Sequence, residues 1–186
     1  MPSADTYEGL SQGVIDCTMA SIADLTDRSL TDVAKYVTLG VPGGSFAAVA
    51  TSNFNADVWA DLTPEQREVI LRGAATMQAQ MTLGYYNLAN RDIEAAPGNG
   101  IELLQPSDEL SAASDAFVQS DLAVIEAQFT KDYGVDGAAE KIAEVSALIE
   151  KWKGLTADAA GDTEKLSQIY WDEIFSKIDP TSYGVQ

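Results

Sequence analysis

At 186 residues the chain has room for one domain, or for a large part of a two-domain protein. Apolar residues at 46% and charged ones at 22% make an ordinary globular composition, which argues against wholesale disorder. A formal net charge of −18 argues against nucleic acid and anionic membrane surfaces as partners, because both are negative themselves.

An anionic ligand would have to be held by a few local cations or helix N-termini against that field. The eleven basic residues are scattered and form no patch. Histidine is missing, so Ser–His, Cys–His and histidine-ligated metal sites are excluded within the chain. Cys17 is the only cysteine, so no internal disulfide or thiolate cluster can form. No enzymatic activity, cofactor or metal is expected. No apolar run approaches the roughly 20 residues that cross a bilayer, so no direct membrane insertion is expected. The first eight residues have neither a basic nor an apolar export region, and on that ground alone the chain reads as soluble and cytoplasmic.

In chain order, Pro2-Ser3-Ala4-Asp5 predicts a helix start with Ser3 as cap. Tyr7, Leu10 and Val14 share one face, and Gly13 ends the helix before a short apolar strand over 14–17. A helix with no preceding strand has no sheet to cover, so the chain reads as beginning in the middle of an α/β fold. Residues 22–34 predict a second helix that buries Ile22, Leu25, Leu30, Val33 and Ala34. Residues 35–41 are rich in β-branched and aromatic side chains and predict a strand. Pro42-Gly43-Gly44 interrupts it, and 45–51 predict another strand before the Ser52-Asn53 turn. A tight hairpin and one long kinked strand both fit.

Leu62-Thr63-Pro64-Glu65-Gln66 is the clearest local signal. Thr63 caps, Pro64 suits the first helical position and Gln66 completes a capping box. The helical pattern runs from Pro64 to about Glu94 with Val69, Ile70, Ala74, Met77, Met81, Tyr85 and Leu88 as its apolar positions. At 1.5 Å per residue that is roughly 45 Å, a reach suited to bridging two lobes. Ala96 to Gly100 predicts a turn and 101–104 a strand. Ser107 caps a further helix with apolar positions Leu110, Ala113, Phe117, Leu122, Ile125 and Phe129, and Gly134 stops it. Two amphipathic helices follow. One carries Ile142, Val145, Leu148, Ile149 and Trp152, and the other Leu166, Ile169, Tyr170, Ile174, Phe175 and Ile178. A small, polar linker over 156–163 separates them.

Paired acids, Asp24 with Asp27, Asp57 with Asp61 and Asp158 with Asp162, read as solvated caps rather than as acid–base or calcium groups. Arg28, Arg67, Arg72 and Arg91 sit among acids and read as surface ion pairs, although each has the fork to hold a carboxylate. Trp59, Trp152 and Trp171 read as packing anchors. Residues 16–21 join a predicted strand to a helix start, where open α/β sheets place ligands. Two readings fit there: an anion site using the Thr18 and Ser21 hydroxyls and exposed amides, or a plain loop in which Ser21 caps the helix.

Four stretches share a pattern with one family. Tyr7-Glu8-Gly9-Leu10-Ser11-Gln12-Gly13-Val14-Ile15-Asp16 is similar to its Y-x-A-L-x-x-G-V-V-D-G. Leu30-Thr31-Asp32-Val33-Ala34-Lys35-Tyr36-Val37-Thr38 is similar to L-Y-E-V-A-K-Y-V-T. The stretch from Asn55 to Gln66 is similar to N-x-x-x-W-x-x-L-P-x-x-x-Q, and that from Gly100 to Pro106 stands where the family has G-V-x-x-x-x-P. In this order the chain resembles the C-terminal half of the DctP-type solute-binding proteins of TRAP transporters.

The resemblance implies an α/β fold of the two-lobed periplasmic-binding-protein type, closing on a small organic acid. Residues 1–154 would supply parts of both lobes and the hinge, and 155–186 a helical tail. The implied partners are the carboxylate ligand and the TRAP membrane permease subunits, and the implied location is periplasmic. Family members are longer, carry an export signal, and usually hold the ligand carboxylate with an arginine from their other half. By carry-over, Thr18, Met19 and Ala20 would line the cleft, and Val41, Pro42, Gly43, Gly44 and Ser45 would lie near hinge and cleft. The chain departs from the pattern at Cys17, where the family has glycine, and at Ala20, where some members have a ligand-touching asparagine. The alternative is a helical protein-interaction module with no small-molecule ligand.

Overall fold

A computed structural model describes residues 1–41 and 52–185. The chain divides into two compact units, Met1–Ala48 with Asn87–Val145, and Val49–Tyr86 with Ser146–Gln186. The predicted strand over 45–51 and the Pro42-Gly43-Gly44 break lie outside the described residues.

In the first unit a 3-10 turn, Ser3–Asp5, leads into α1 (Thr6–Ser11). Ser3 is part of the turn rather than its cap. Gly13 takes a left-handed φ of +67° and folds the chain back, so that the amides of Val14 and Ile15 donate to the Gly9 carbonyl at 2.9 and 3.2 Å. Those amides close the helix end instead of a ladder, and the strand expected over 14–17 does not form.

The helix expected over 22–34 is also broken. It becomes α2 (Asp24–Asp27) and a 3-10 turn, Leu30–Asp32, separated by Ser29 at φ +56°. The Thr31 hydroxyl donates to the Leu25 carbonyl at 2.7 Å, a side-chain bond that competes with the helical ladder.

β1 (Tyr36–Thr38) pairs in parallel with β2 (Glu102–Leu104), with Tyr36 opposite Glu102 and Thr38 opposite Leu104. The Glu102 amide reaches the Lys35 carbonyl and the Leu39 amide the Leu104 carbonyl, both at 2.9 Å, extending the pairing at each end. Beneath lies a core of Leu25, Leu30, Ala96 and Ile101, flanked by Leu10, Ile22, Val33, Ala34, Val37 and Leu103. Burying each large aliphatic chain there stabilises the unit by about 1.5–3 kcal/mol.

The remaining long helix of this unit, α5 (Asp108–Tyr133), has the predicted ends. Ser107 accepts from the Leu110 amide at 3.1 Å, and Gly134 closes the helix at φ +62°. Its predicted apolar face is uncovered, however: no residue of α5 is buried, and Phe117 is 65% exposed.

The second unit begins with α3 (Ala56–Asp61), capped by Asn55, whose side chain accepts from the Asp57 and Val58 amides. The helix α4 (Pro64–Ala95) follows and supplies residues 64–86 to this unit and 87–95 to the first. Its capping box forms as expected, with Thr63 and Gln66 exchanging bonds at 2.8 and 3.3 Å.

The buried stripe of α4 is Leu71, Ala75, Ala79 and Leu83, not the larger Val69, Met77, Met81 and Tyr85, which stay exposed. Small side chains four residues apart let another helix lie close. Here Ala79 and Leu83 pack with Ala159 and Leu166, backed by Ile169 and Tyr170.

α6 (Ala138–Thr156) is likewise divided between the units, and α7 (Thr163–Glu173) is capped by Asp162, which accepts from the Lys165 amide at 2.9 Å. Among the described residues no helix is long and apolar enough to cross a membrane.

Candidate functional site

The cleft residues expected from the sequence fall on two segments of the first unit. Thr18 and Met19 are exposed, Met19 at 76%, and Ala20 is half-buried, on an irregular stretch between the closed end of α1 and α2. Val41 is half-buried just after β1, beyond Gly40 at φ +71°. Among the described residues no hydrogen bond joins Val41 to the 18–20 stretch. Gly43, Gly44 and Ser45 lie outside the described residues.

The helix start expected to favour an anion is not built. α2 has only four residues and Ala23 at its cap makes no side-chain bond. Ser21 accepts from the Ala23 amide at 3.3 Å, a local turn bond one residue ahead of α2, and so does not cap the helix as the plainer reading of that loop expected. The dipole of so short a helix offers an anion little.

None of the four arginines presents an open fork. Arg28 lies 3.3 Å from the Asp24 carboxylate through a poorly aligned Nε and donates to the Ser3 carbonyl at 3.1 Å. Arg72 pairs with Glu68 at 3.1 Å and lies 3.8 Å over the Trp171 ring. Arg67 is no surface ion pair, contrary to expectation: it is 4% exposed and donates to the carbonyls of Trp59, Ala60 and Pro180. Arg91 chelates Asp92 through Nε and Nη2 at 2.9 and 2.8 Å.

Asp92 is the feature that sequence reasoning missed. Only 3% exposed, it also accepts the Thr26 amide at 3.3 Å and the Thr26 hydroxyl at 2.8 Å, 66 residues away in the chain. The signal was there: Asp92 shares a helix face with Leu88, Ala89 and Ala96, and an acid on an apolar stripe needs a partner. A cavity of about 10 Å³ beside it, lined in part by Leu25, Thr31 and Ile101, has the size of one water molecule and admits no solute. In the second unit, Leu62, Val69 and Ile70 edge an open apolar depression beside Glu65 and Gln66, and the Gln66 side chain there is committed to the capping box.

Residues 1–128 match the family DctP, described as bacterial extracellular solute-binding protein, family 7. The chain belongs to this family. No curated protein and no solved structure matches it. DctP membership gives the chain a solute-binding role of the TRAP type, in a family that binds rather than transforms its ligands. The match includes the 18–20 stretch, β1, α4, β2 and Asp92, and ends within α5.

Proposed function

We propose that this DctP-family chain forms part of a two-lobed receptor that captures a small organic acid in the periplasm and delivers it to a TRAP membrane permease. The single observation that carries the reading is the family match over residues 1–128. In this reading Thr18, Met19 and Ala20 form one wall of the cleft, and Val41, Gly43, Gly44 and Ser45 lie where the connecting strands cross.

Two observations support it. Thr18 and Met19 are exposed on a segment whose two ends are held by packed structure, as a ligand wall requires. The uncovered apolar side chains of α5 fit a helix that is packed against further structure in the two-lobed receptor. Arg67, buried and spent on three backbone carbonyls, is not available to the ligand carboxylate.

A thermal-shift screen of the full protein against mono- and dicarboxylates, sugar acids, amino acids and neutral sugars tests the proposal. An organic acid at about 100 times its dissociation constant stabilises by about 2.7 kcal/mol, a shift of several degrees. Shifts from neutral sugars alone would overturn the carboxylate assignment. Substitution of Met19 or Gly44 is expected to weaken binding of the acid so found, measured by calorimetry, and unchanged affinity in both variants would remove them from the cleft.

A further inference from the structure

We infer that Asp92 is a positioning residue: through Thr26 it latches the 16–23 stretch to α4 and so sets the conformation of the proposed ligand wall. The inference rests on the reading of Thr18, Met19 and Ala20 as that wall, but the latch itself is a matter of geometry.

The wall segment is short and has two anchors. On the upstream side, Val14 and Ile15 bond the Gly9 carbonyl, and Ile15 packs by Gly9. On the downstream side Ala23 and Leu25 are buried at 1% and 6% exposure. The residues between, Asp16 to Met19, are exposed, so burial does not fix them. With each residue spanning at most about 3.6 Å, their path depends on where the two anchors stand.

The downstream anchor is where Asp92 acts. Hydrophobic packing of Leu25 against Ala96 and Ile101 is tolerant of small shifts, whereas a carboxylate taking both the amide and the hydroxyl of one threonine fixes orientation as well as distance. The Arg91 guanidinium bonds Oδ1 of the same carboxylate and holds its rotamer from the solvent side, itself 54% exposed. Thr26 lies seven positions after Met19, and α2 is a single turn, so a displaced Thr26 carries the wall with it.

The other charged groups on this part of α4 and around Thr26 do not compete. Asp24 pairs with Arg28, and Asp27 and Glu94 are exposed.

The test places a nitroxide on Cys17, which is exposed, the only cysteine of the chain, and next to the wall. In Asp92→Ala and in Thr26→Val the label is expected to become more mobile in room-temperature spectra. Amide exchange over Asp24–Asp27 is expected to accelerate roughly tenfold while that over Thr163–Glu173 stays unchanged. Thr26→Ser keeps the hydroxyl and is expected to keep the native spectrum. The control, Arg67→Met, lies in the second unit and is expected to lower the melting temperature without altering the label.

Unchanged label mobility in both Asp92→Ala and Thr26→Val would overturn the latch. So would an equal change in Arg67→Met, since general loosening would then explain it. If Asp92→Ala does not fold, Thr26→Val against Thr26→Ser decides alone. No ligand enters these measurements, so they stand or fall separately from the Met19 and Gly44 calorimetry that tests the wall.

Discussion

The Nη1 of Arg67 donates to the carbonyl of Pro180 at 3.0 Å, joining the first turn of α4 to a segment 113 residues further along the chain. Its Nε and Nη2 take the Trp59 and Ala60 carbonyls near the end of α3, the first shared with the Leu62 amide. The dipole of that helix end favours a cation as well. Trp59 completes the arrangement, its Nε1 donating to the Tyr183 carbonyl at 2.7 Å while its ring meets Phe54 and Tyr183 edge-on. One buried guanidinium thus closes the carbonyl ends of two chain segments.

Arg67→Met keeps the bulk but takes the donor from the Ala60 and Pro180 carbonyls and one of two donors from that of Trp59. The expected loss is about 2–3 kcal/mol, because each bond to a charged group is worth about 1.5–3 kcal/mol and part of it is recovered by water at the part-buried carbonyls. Arg67→Lys is expected to recover only part, since one ammonium does not reproduce a planar fork. Urea unfolding followed by tryptophan fluorescence measures both. Equal stability of the Met variant and the parent would show that water replaces the guanidinium without loss.

The capping box gives a smaller, cleaner effect. Thr63→Ala removes the acceptor of the Gln66 amide and is expected to cost about 1 kcal/mol. It has a second readout. The carboxyl of Glu65 is held below its ordinary 4.5 by its own backbone amide first and the Thr63 hydroxyl second. In the variant the Glu65 carboxyl is expected to titrate closer to 4.5, as followed by NMR.

Asp179 makes the C-terminal segment sensitive to acid. Its carboxylate accepts the Thr181 amide at 2.9 Å, with the Ser182 and Thr181 hydroxyls adding bonds, and these hold it below its ordinary 3.8. A depressed folded value means the stabilisation is present above 3.8 and disappears as pH falls through the lower folded value. Trp59 reports the event, because its indole bonds the Tyr183 carbonyl just beyond this turn. Its fluorescence is expected to change below pH 3.8 in the parent, and Asp179→Asn is expected to show the acid-form signal already at pH 7. A parent signal flat below pH 3.8 would separate the turn from the docking of Tyr183.

Local rules with a polar partner in reach were legible in the sequence, and long-range ones were not. Thr63, Ser107, Asp162 and Gly134 mark helix ends where expected, because capping involves residues three or four apart. The 22–34 helix failed because Thr31 and Ser29 found local alternatives to the ladder. Arg67 was misjudged and Asp92 missed for a common reason. Their partners, Pro180 and Thr26, are 113 and 66 residues away, and the pattern on one helix can show that a partner is needed but not which residue it is. Of the proposed wall residues, Thr18 stood out by its hydroxyl and its place between two elements, whereas Met19 and Ala20 were singled out by the family pattern alone.

The apolar stripe of α5 was legible as a stripe but not as exposed, and its exposure has a measurable consequence. Leu110, Phe117, Leu122 and Phe129 are all more than a third exposed, at 43%, 65%, 39% and 47%. An exposed aromatic adds little to folding, so Phe117→Ser is expected to change unfolding free energy by no more than about 0.5 kcal/mol. The same side chains give water-exposed apolar area, which invites dye binding and self-association despite the net charge of −18. The 186-residue chain is therefore expected to bind an anilinonaphthalene dye in its folded state, and Phe117→Ser with Phe129→Ser to bind less at unchanged stability. A large loss of stability in the double variant would mean that α5 is packed in solution, with Phe117 and Phe129 on the packed side.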